Sequence, residues 1–217
     1  MKKVVLIVAG GKGERMRAKV PKQFLLLKKI PVLMHTIKQF SHLDKIVLVL
    51  PKSKFNYWKN LCAKYNFNEN HILVKGGKNR FESVKNGLSK IEDNSTIAIH
   101  DGVRPLISKK LINTVFANAV TGTGVIPIIP INDSLRKVEN NMSCIIDRKK
   151  IYKIQTPQCF KSIEIKKAYT QNYSVEFTDD ASVFEKHGGA IKLIDGEEKN
   201  LKITTRLDLK LAEQILK

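Results

Sequence analysis

The chain has 217 residues, 42% of them hydrophobic and 27% charged, which excludes a disordered chain and suits one domain with one core. Cys62, Cys144 and Cys159 are widely spaced and form no CxxC or Cys/His cluster, which argues against a disulfide framework or zinc site and for reduced thiols in a cytoplasmic protein. The net charge of +19 fits either a nucleic-acid binder or an enzyme for small phosphorylated substrates; 32 scattered lysines, only 7 arginines, and no basic tail or aromatic-basic interleaving favour the second, with no nucleic-acid partner.

The first apolar run, residues 4–9, follows Met1-Lys2-Lys3 and ends in glycines and charges rather than a cleavage site, so it reads as a buried strand and not a leader. No stretch approaches the roughly 20 apolar residues of a membrane span. Further β-branched runs fall at 46–50, 72–74, 97–99 and 125–129. They are continuous rather than alternating, as expected of a sheet covered on both faces. Helical spacing separates them. Leu33, Ile37 and Phe40 share a face in 31–40, Trp58, Leu61 and Cys62 in 54–65, and Val84, Leu88 and Ile91 in 80–91. Ser108 is placed to cap a helix through Leu111, Ile112 and Val115, and a last amphipathic helix carries Leu207, Leu211 and Ile215. The β-α-β-α-β-α-β order predicts an α/β fold: a single-domain, Rossmann-like, doubly wound, mostly parallel sheet, with ligands at the carboxyl ends of its strands. Residues 130–157 depart from that order. Two short β-prone runs flank Asn140-Asn141, which predicts a hairpin that either protrudes to pair with a symmetry mate or lies on the surface.

Five stretches carry possible chemistry. Ala9-Gly10-Gly11-Lys12-Gly13-Glu14-Arg15 follows the first strand, with Lys22 in Pro21-Lys22-Gln23-Phe24 behind it. Its glycines would let backbone N–H groups approach an anion, with Arg15 and Lys22 adding charge-assisted bonds; a tight strand-to-helix turn would use the same glycines. The loop is not a Walker A motif, which needs Gly-Lys-Ser/Thr after four spacers. It is not GxGxxG either, because Met16 stands where glycine is required. Gly76-Gly77-Lys78-Asn79-Arg80, with Ser83 beyond, reads as a close approach to a base or ribose, or as a turn capped by Asn79. His100-Asp101-Gly102-Val103-Arg104 ends a strand, where Asp101 could hold Mg²⁺ or simply pair with Arg104. Thr178-Asp179-Asp180 is explained by helix capping alone. Lys202, in Asn200-Leu201-Lys202-Ile203-Thr204, could reach a phosphate or be a surface lysine.

In order, these stretches resemble the 2-C-methyl-D-erythritol 4-phosphate cytidylyltransferases, and also the related ribitol 5-phosphate cytidylyltransferases. Asp133-Ser134, Asp147-Arg148 and Gln155-Thr156-Pro157-Gln158 with Phe160 extend the likeness across the chain. The resemblance implies a glycosyltransferase-A-like nucleotidyltransferase that transfers CMP from CTP to the acceptor phosphate with release of pyrophosphate. Ala9, Gly10, Gly11, Gly13, Arg15 and Lys22 would bind the CTP triphosphate. Gly76, Gly77 and Ser83 would line the cytosine pocket, and Asp101 and Gly102 complete the nucleotide site. Asp101 would hold Mg²⁺ or another divalent cation. Asp101, Arg104, Thr156, Asp179 and Lys202 would bind the acceptor. An arm at about 130–157 would make a homodimer and carry Ser134 and Arg148 to the partner's site. Arg15, Lys22, Arg148 and Lys202 would be the catalytic cations. The sequence departs from the family at Val8, where alanine is usual, at Gly102-Val103, where Ala-Ala is frequent, and at Ser134, where threonine is common. None of these removes a charged group. A non-catalytic basic nucleotide- or nucleic-acid-binding module is the reading from another class, and cations placed at loops rather than in a stripe argue against it.

Overall fold

The computed structural model describes residues 1–11 and 20–216. The elements begin with β1 (Lys2–Val8), the short pair β2 (Leu26–Leu27) and β3 (Ile30–Pro31), α1 (Val32–Gln39) and β4 (Lys45–Leu50). Then come α2 (Phe55–Lys64), β5 (Ile72–Lys75), α3 (Arg80–Leu88), β6 (Ser95–Asp101), α4 (Lys109–Asn118) and β7 (Thr123–Pro130). The chain continues through β8 (Leu135–Glu139), β9 (Met142–Ile146), β10 (Tyr152–Ile154), β11 (Gln158–Lys161), α5 (Ser162–Ala168), α6 (Asp180–Lys186), β12 (Ala190–Asp195) and α7 (Arg206–Ile215).

Eight strands form one sheet in the order β10-β7-β11-β6-β1-β4-β5, with β12 also paired to β7. The run β6-β1-β4-β5 is parallel, as expected, while β11 lies antiparallel between β6 and β7. The register places Val8 opposite both Val49 and Asp101, so the carboxyl ends of β1, β4 and β6 share one edge.

Strand periodicity divides the apolar runs between two cores. Val5, Ile7, Ile46, Leu48 and Leu50 pack with Leu33, Ile37, Trp58, Ile112 and Val115 on one face. Val4, Leu6, Val47, Val49, Ile97 and Ile99 pack with Val84, Leu88, Ile165, Val183 and Phe184 on the other. Covering on both faces is why these strands show no polar alternation. Helix α3 sits so close to the sheet that a Cβ on Gly87 would lie 2.1 Å from Leu6 Cδ1.

The expected caps are present. The side chains of Asn79 and Ser108 accept the backbone N–H groups of Glu82 and Leu111. Asn140 and Asn141 both take positive φ, 48° and 64°, as a two-residue hairpin turn requires. Strands β8 and β9 pair only with each other in the described chain. One expectation is corrected. Helix α7 forms, but Leu207, Leu211 and Ile215 are exposed, and Leu209, Ala212 and Leu216 pack instead against Leu27, Val32, Val103 and Ile203. Among the described residues, no helix is long and apolar enough to cross a membrane.

Candidate active site

The loops leaving the carboxyl ends of β1, β4, β5 and β6 enclose a cavity of about 860 Å³. Ala9, Gly10 and Gly11 form one wall. Ala9 N–H donates to Val49 O, and Ala9 O accepts the buried Gln23 amide at 2.7 Å, which fixes the adjacent 3-10 turn carrying Lys22. Gly102 N–H donates to Val8 O, and a Cβ at Gly102 would come within 2.7 Å of Ala9 Cβ. Glycine thus lets the ends of β1 and β6 approach at a position where the resemblance led us to expect alanine. Gly13 and Arg15 lie outside the described residues, as do Lys12 and Glu14.

A second wall is the loop before α3. Gly77 N–H donates to Ser83 Oγ at 3.1 Å, and Ser83 donates to Asn79 O at 2.8 Å. A Cβ on Gly77 would meet Glu82 Cβ at 2.2 Å, so only glycine lets this loop fold back on the helix. Gly77 and Ser83 line the cavity. Gly76 lies behind it, where a Cβ would come 3.2 Å from Ser83 Oγ.

Asp101 forms the floor. Its Oδ2 receives Lys202 Nζ at 3.0 Å and Arg104 Nε at 3.2 Å. Burial opposes charge on this carboxyl, but Lys202, Arg80 and Arg104 outweigh it and hold Asp101 well below the usual carboxylate range. Beneath it, Thr156 Oγ1 accepts Asp101 N–H at 3.0 Å and contacts His100 Nδ1 at 3.1 Å. Burial pushes the His100 pKa down to about 4, so its ring is neutral at pH 7. The pattern is satisfied when Nε2–H donates to Arg104 O and Nδ1 accepts the Thr156 hydroxyl. Thr156 and Arg104 are buried and do not line the cavity.

Arg80 lines the cavity and is held end-on by the fully buried Asp180, at 2.8 and 2.6 Å, with Tyr169 donating to the same carboxylate. In the Thr178-Asp179-Asp180 stretch, Asp180 therefore serves as the counter-ion to a cavity arginine. Asp179 caps α6 through Ser182 N–H and accepts the Gln158 amide; it does not line the cavity. Ser134 and Arg148 lie away from the cavity at the base of the β8–β9 arm, where Arg148 donates to Asn132 O. Sequence reasoning missed Lys54, Lys78, Arg80 and Thr204 as lining residues. Lys54 was within reach of the rule that ligands sit beyond the carboxyl ends of strands, because it follows β4. Among the described lining residues, Lys22, Lys54, Lys78, Arg80 and Lys202 face a single carboxylate, Asp101, so the cavity suits a polyanion.

Residues 3–217 match the family model IspD, 2-C-methyl-D-erythritol 4-phosphate cytidylyltransferase. The chain is 48% identical over 217 residues to the 2-C-methyl-D-erythritol 4-phosphate cytidylyltransferase of Porphyromonas gingivalis, covering 99% of this chain and 98% of that one. It is 42% identical over 219 residues to that of Bacteroides fragilis, with both chains fully covered. Its fold superimposes on the Francisella tularensis enzyme structure with a TM-score of 0.82 at 27% identity, covering 99% of each chain. Against the bifunctional IspDF of Campylobacter jejuni the TM-score is 0.82 at 32% identity; 97% of this chain spans about half, 54%, of that one. The chain belongs to the 2-C-methyl-D-erythritol 4-phosphate cytidylyltransferase family of nucleotidyltransferases.

Proposed function

We propose that the cavity binds CTP and catalyses transfer of CMP to the phosphate of 2-C-methyl-D-erythritol 4-phosphate, forming 4-diphosphocytidyl-2-C-methyl-D-erythritol in isoprenoid biosynthesis. The observation that carries this reading is the convergence of Lys202 and Arg104 on Asp101, across a cation-lined cavity from the Gly10-Gly11 wall.

An acceptor phosphate oxygen attacks the α-phosphorus of CTP. The new P–O bond forms as the bond to the β-phosphate bridge breaks, and pyrophosphate leaves with that electron pair. The attacking oxygen is already ionised at neutral pH, so no general base is required. The work left to the chain is to hold two polyanions together and to neutralise charge as it shifts. Lys22, with Arg15, serves the triphosphate; Gly76, Gly77 and Ser83 shape the base pocket; Lys202 serves the acceptor, and Arg104 acts from beneath by holding Asp101. Thr156 acts beneath Asp101, its hydroxyl engaged by Asp101 N–H and His100.

Enzymes of this family generally use a divalent cation. Among the described residues no group of three His, Cys, Asp or Glu could hold a metal by itself. One ionised carboxylate, Asp101, fits Mg²⁺, which is commonly held by one or two carboxylates together with substrate phosphates. The cation would neutralise triphosphate charge.

The arm supports a homodimer. A lone two-stranded hairpin is marginal in water. This one exposes Val138, Met142 and Ile145 by 68%, 74% and 79%, apolar surface that a second copy would cover. In that dimer Ser134 and Arg148 complete the partner's site. The three free thiols are consistent with a cytoplasmic setting.

The test is pyrophosphate release with Mg²⁺, crossing ATP, CTP, GTP and UTP with methylerythritol and ribitol phosphates. CTP with methylerythritol phosphate should give the highest kcat/KM. Preference for ribitol phosphate would reassign the acceptor, and no release from any pair would overturn the catalytic reading.

A further inference from the structure

Lys202 is carried by a segment with neither helix nor strand, between β12 and α7. Its flexible stem alone would leave the ammonium poorly placed, so the precision of the 3.0 Å contact with Asp101 must come from whatever fixes the backbone around it. One side chain makes more of that attachment than any other. Gln155 Nε2 donates to Glu197 O at 2.7 Å, and Gln155 Oε1 accepts Glu197 N–H at 3.1 Å, as a strand neighbour would. The same Oε1 accepts Asn200 Nδ2 at 3.2 Å, and Asn200 Nδ2 also donates to Thr156 O at 2.9 Å.

Gln155 is itself anchored to the sheet, its N–H donating to Pro127 O at 2.8 Å, and it is buried. Gly196 makes room for it: a Cβ there would lie 2.6 Å from Gln155 Oε1. Around this clamp, Arg104 Nη1 donates to Asn200 O and Ile203 N–H to Val103 O, closing the segment onto the loop that follows Asp101. Gln155 does not line the cavity. It is therefore built to act through the segment it grips and not on a substrate.

We propose that Gln155 is a positioning residue for Lys202, fixing residues 197–200 so that the ammonium meets the acceptor phosphate. The proposal rests on the reading of Lys202 as an acceptor-binding cation. Small displacements at a reacting centre can cost up to about 100-fold in rate. Gln155→Leu should therefore lower kcat/KM for the acceptor by roughly tenfold or more while changing KM for CTP less than about twofold. Gly196→Ala, which displaces the Gln155 side chain without removing it, should give the same split and carries the test if the leucine variant does not fold.

The deciding measurement is a double-mutant cycle with Lys202→Ala. On that background Gln155→Leu and Gly196→Ala should add less than about a twofold further loss, because the group they position is gone. If Lys202→Ala is impaired but the clamp variants lower activity by the same factor on both backgrounds, or lower only the melting temperature, the Gln155 proposal is wrong while the site reading stands. If Lys202→Ala leaves both acceptor KM and kcat at wild-type values, both are wrong.

Discussion

His100 is neutral because it is buried, and its position makes that neutrality consequential. Its Nδ1 contacts the hydroxyl that also receives Asp101 N–H. Burial shifts its pKa from 6.5 to about 4, so on acidification the unfolded chain takes up a proton before the folded one does. Proton uptake by the unfolded chain therefore costs the fold almost nothing above pH 6.5 and destabilises it progressively as pH falls towards 4. By linkage the fold is on the order of 3 kcal/mol less stable below pH 4 than at neutral pH on this account. Urea unfolding at pH 7 and pH 4.5 should show the wild type losing most of this. His100→Gln, which keeps a donor and an acceptor but cannot titrate, should lose clearly less; an equal loss in both would remove His100 as the cause. At the same scale, Asp101, Arg104 and Lys202 were each legible as single charged residues near strand ends. The pairing of Arg104 with Asp101 was one of the readings the sequence offered; the arrival of Lys202 on the same carboxylate oxygen was not, because it joins positions about a hundred residues apart through a non-repetitive loop. Asp180 was hidden for a different reason: helix capping by the acids of its stretch already accounted for it, and nothing local pointed to Arg80.

Among the elements, the parallel strands were the most legible, because burial on both faces writes itself as an unbroken apolar run. The late additions to the sheet, antiparallel β10 and β11 and parallel β12, were missed. In β12, Lys192 and Asp195 interrupt the apolar residues at every third position, which is not the period of a strand, and β10 and β11 are only 3 and 4 residues long, too short for a period to declare itself. Helix α7 shows how spacing misleads. Leu207, Leu211 and Ile215 repeat every four residues, yet the face that meets Val103 and Ile203 is set by Leu209, Ala212 and Leu216. The arm was legible through its Asn-Asn turn. If it completes the neighbouring site, Lys22→Ala and Arg148→Ala should each be nearly inactive alone. Mixed under subunit exchange, they should recover roughly a quarter of wild-type activity, since half the dimers are mixed and one site in each is intact. No recovery despite demonstrated exchange would place Arg148 in its own subunit's site or outside the site altogether.

At the scale of the molecule, a chain of net charge +19 concentrates five described cations against one carboxylate in the cavity at the carboxyl edge of its parallel strands. That arrangement suits a polyanion, and it fits the proposed transfer, which needs no base or covalent intermediate. The central claim is that the acceptor phosphate itself attacks the α-phosphorus. Methylerythritol phosphate labelled with ¹⁸O in its non-bridging oxygens should be turned over with CTP and both products weighed by mass spectrometry. All of the label should appear in the cytidine diphosphate product and none in pyrophosphate. Label in pyrophosphate, or a product that has lost one of the acceptor's phosphate oxygens, would contradict the account.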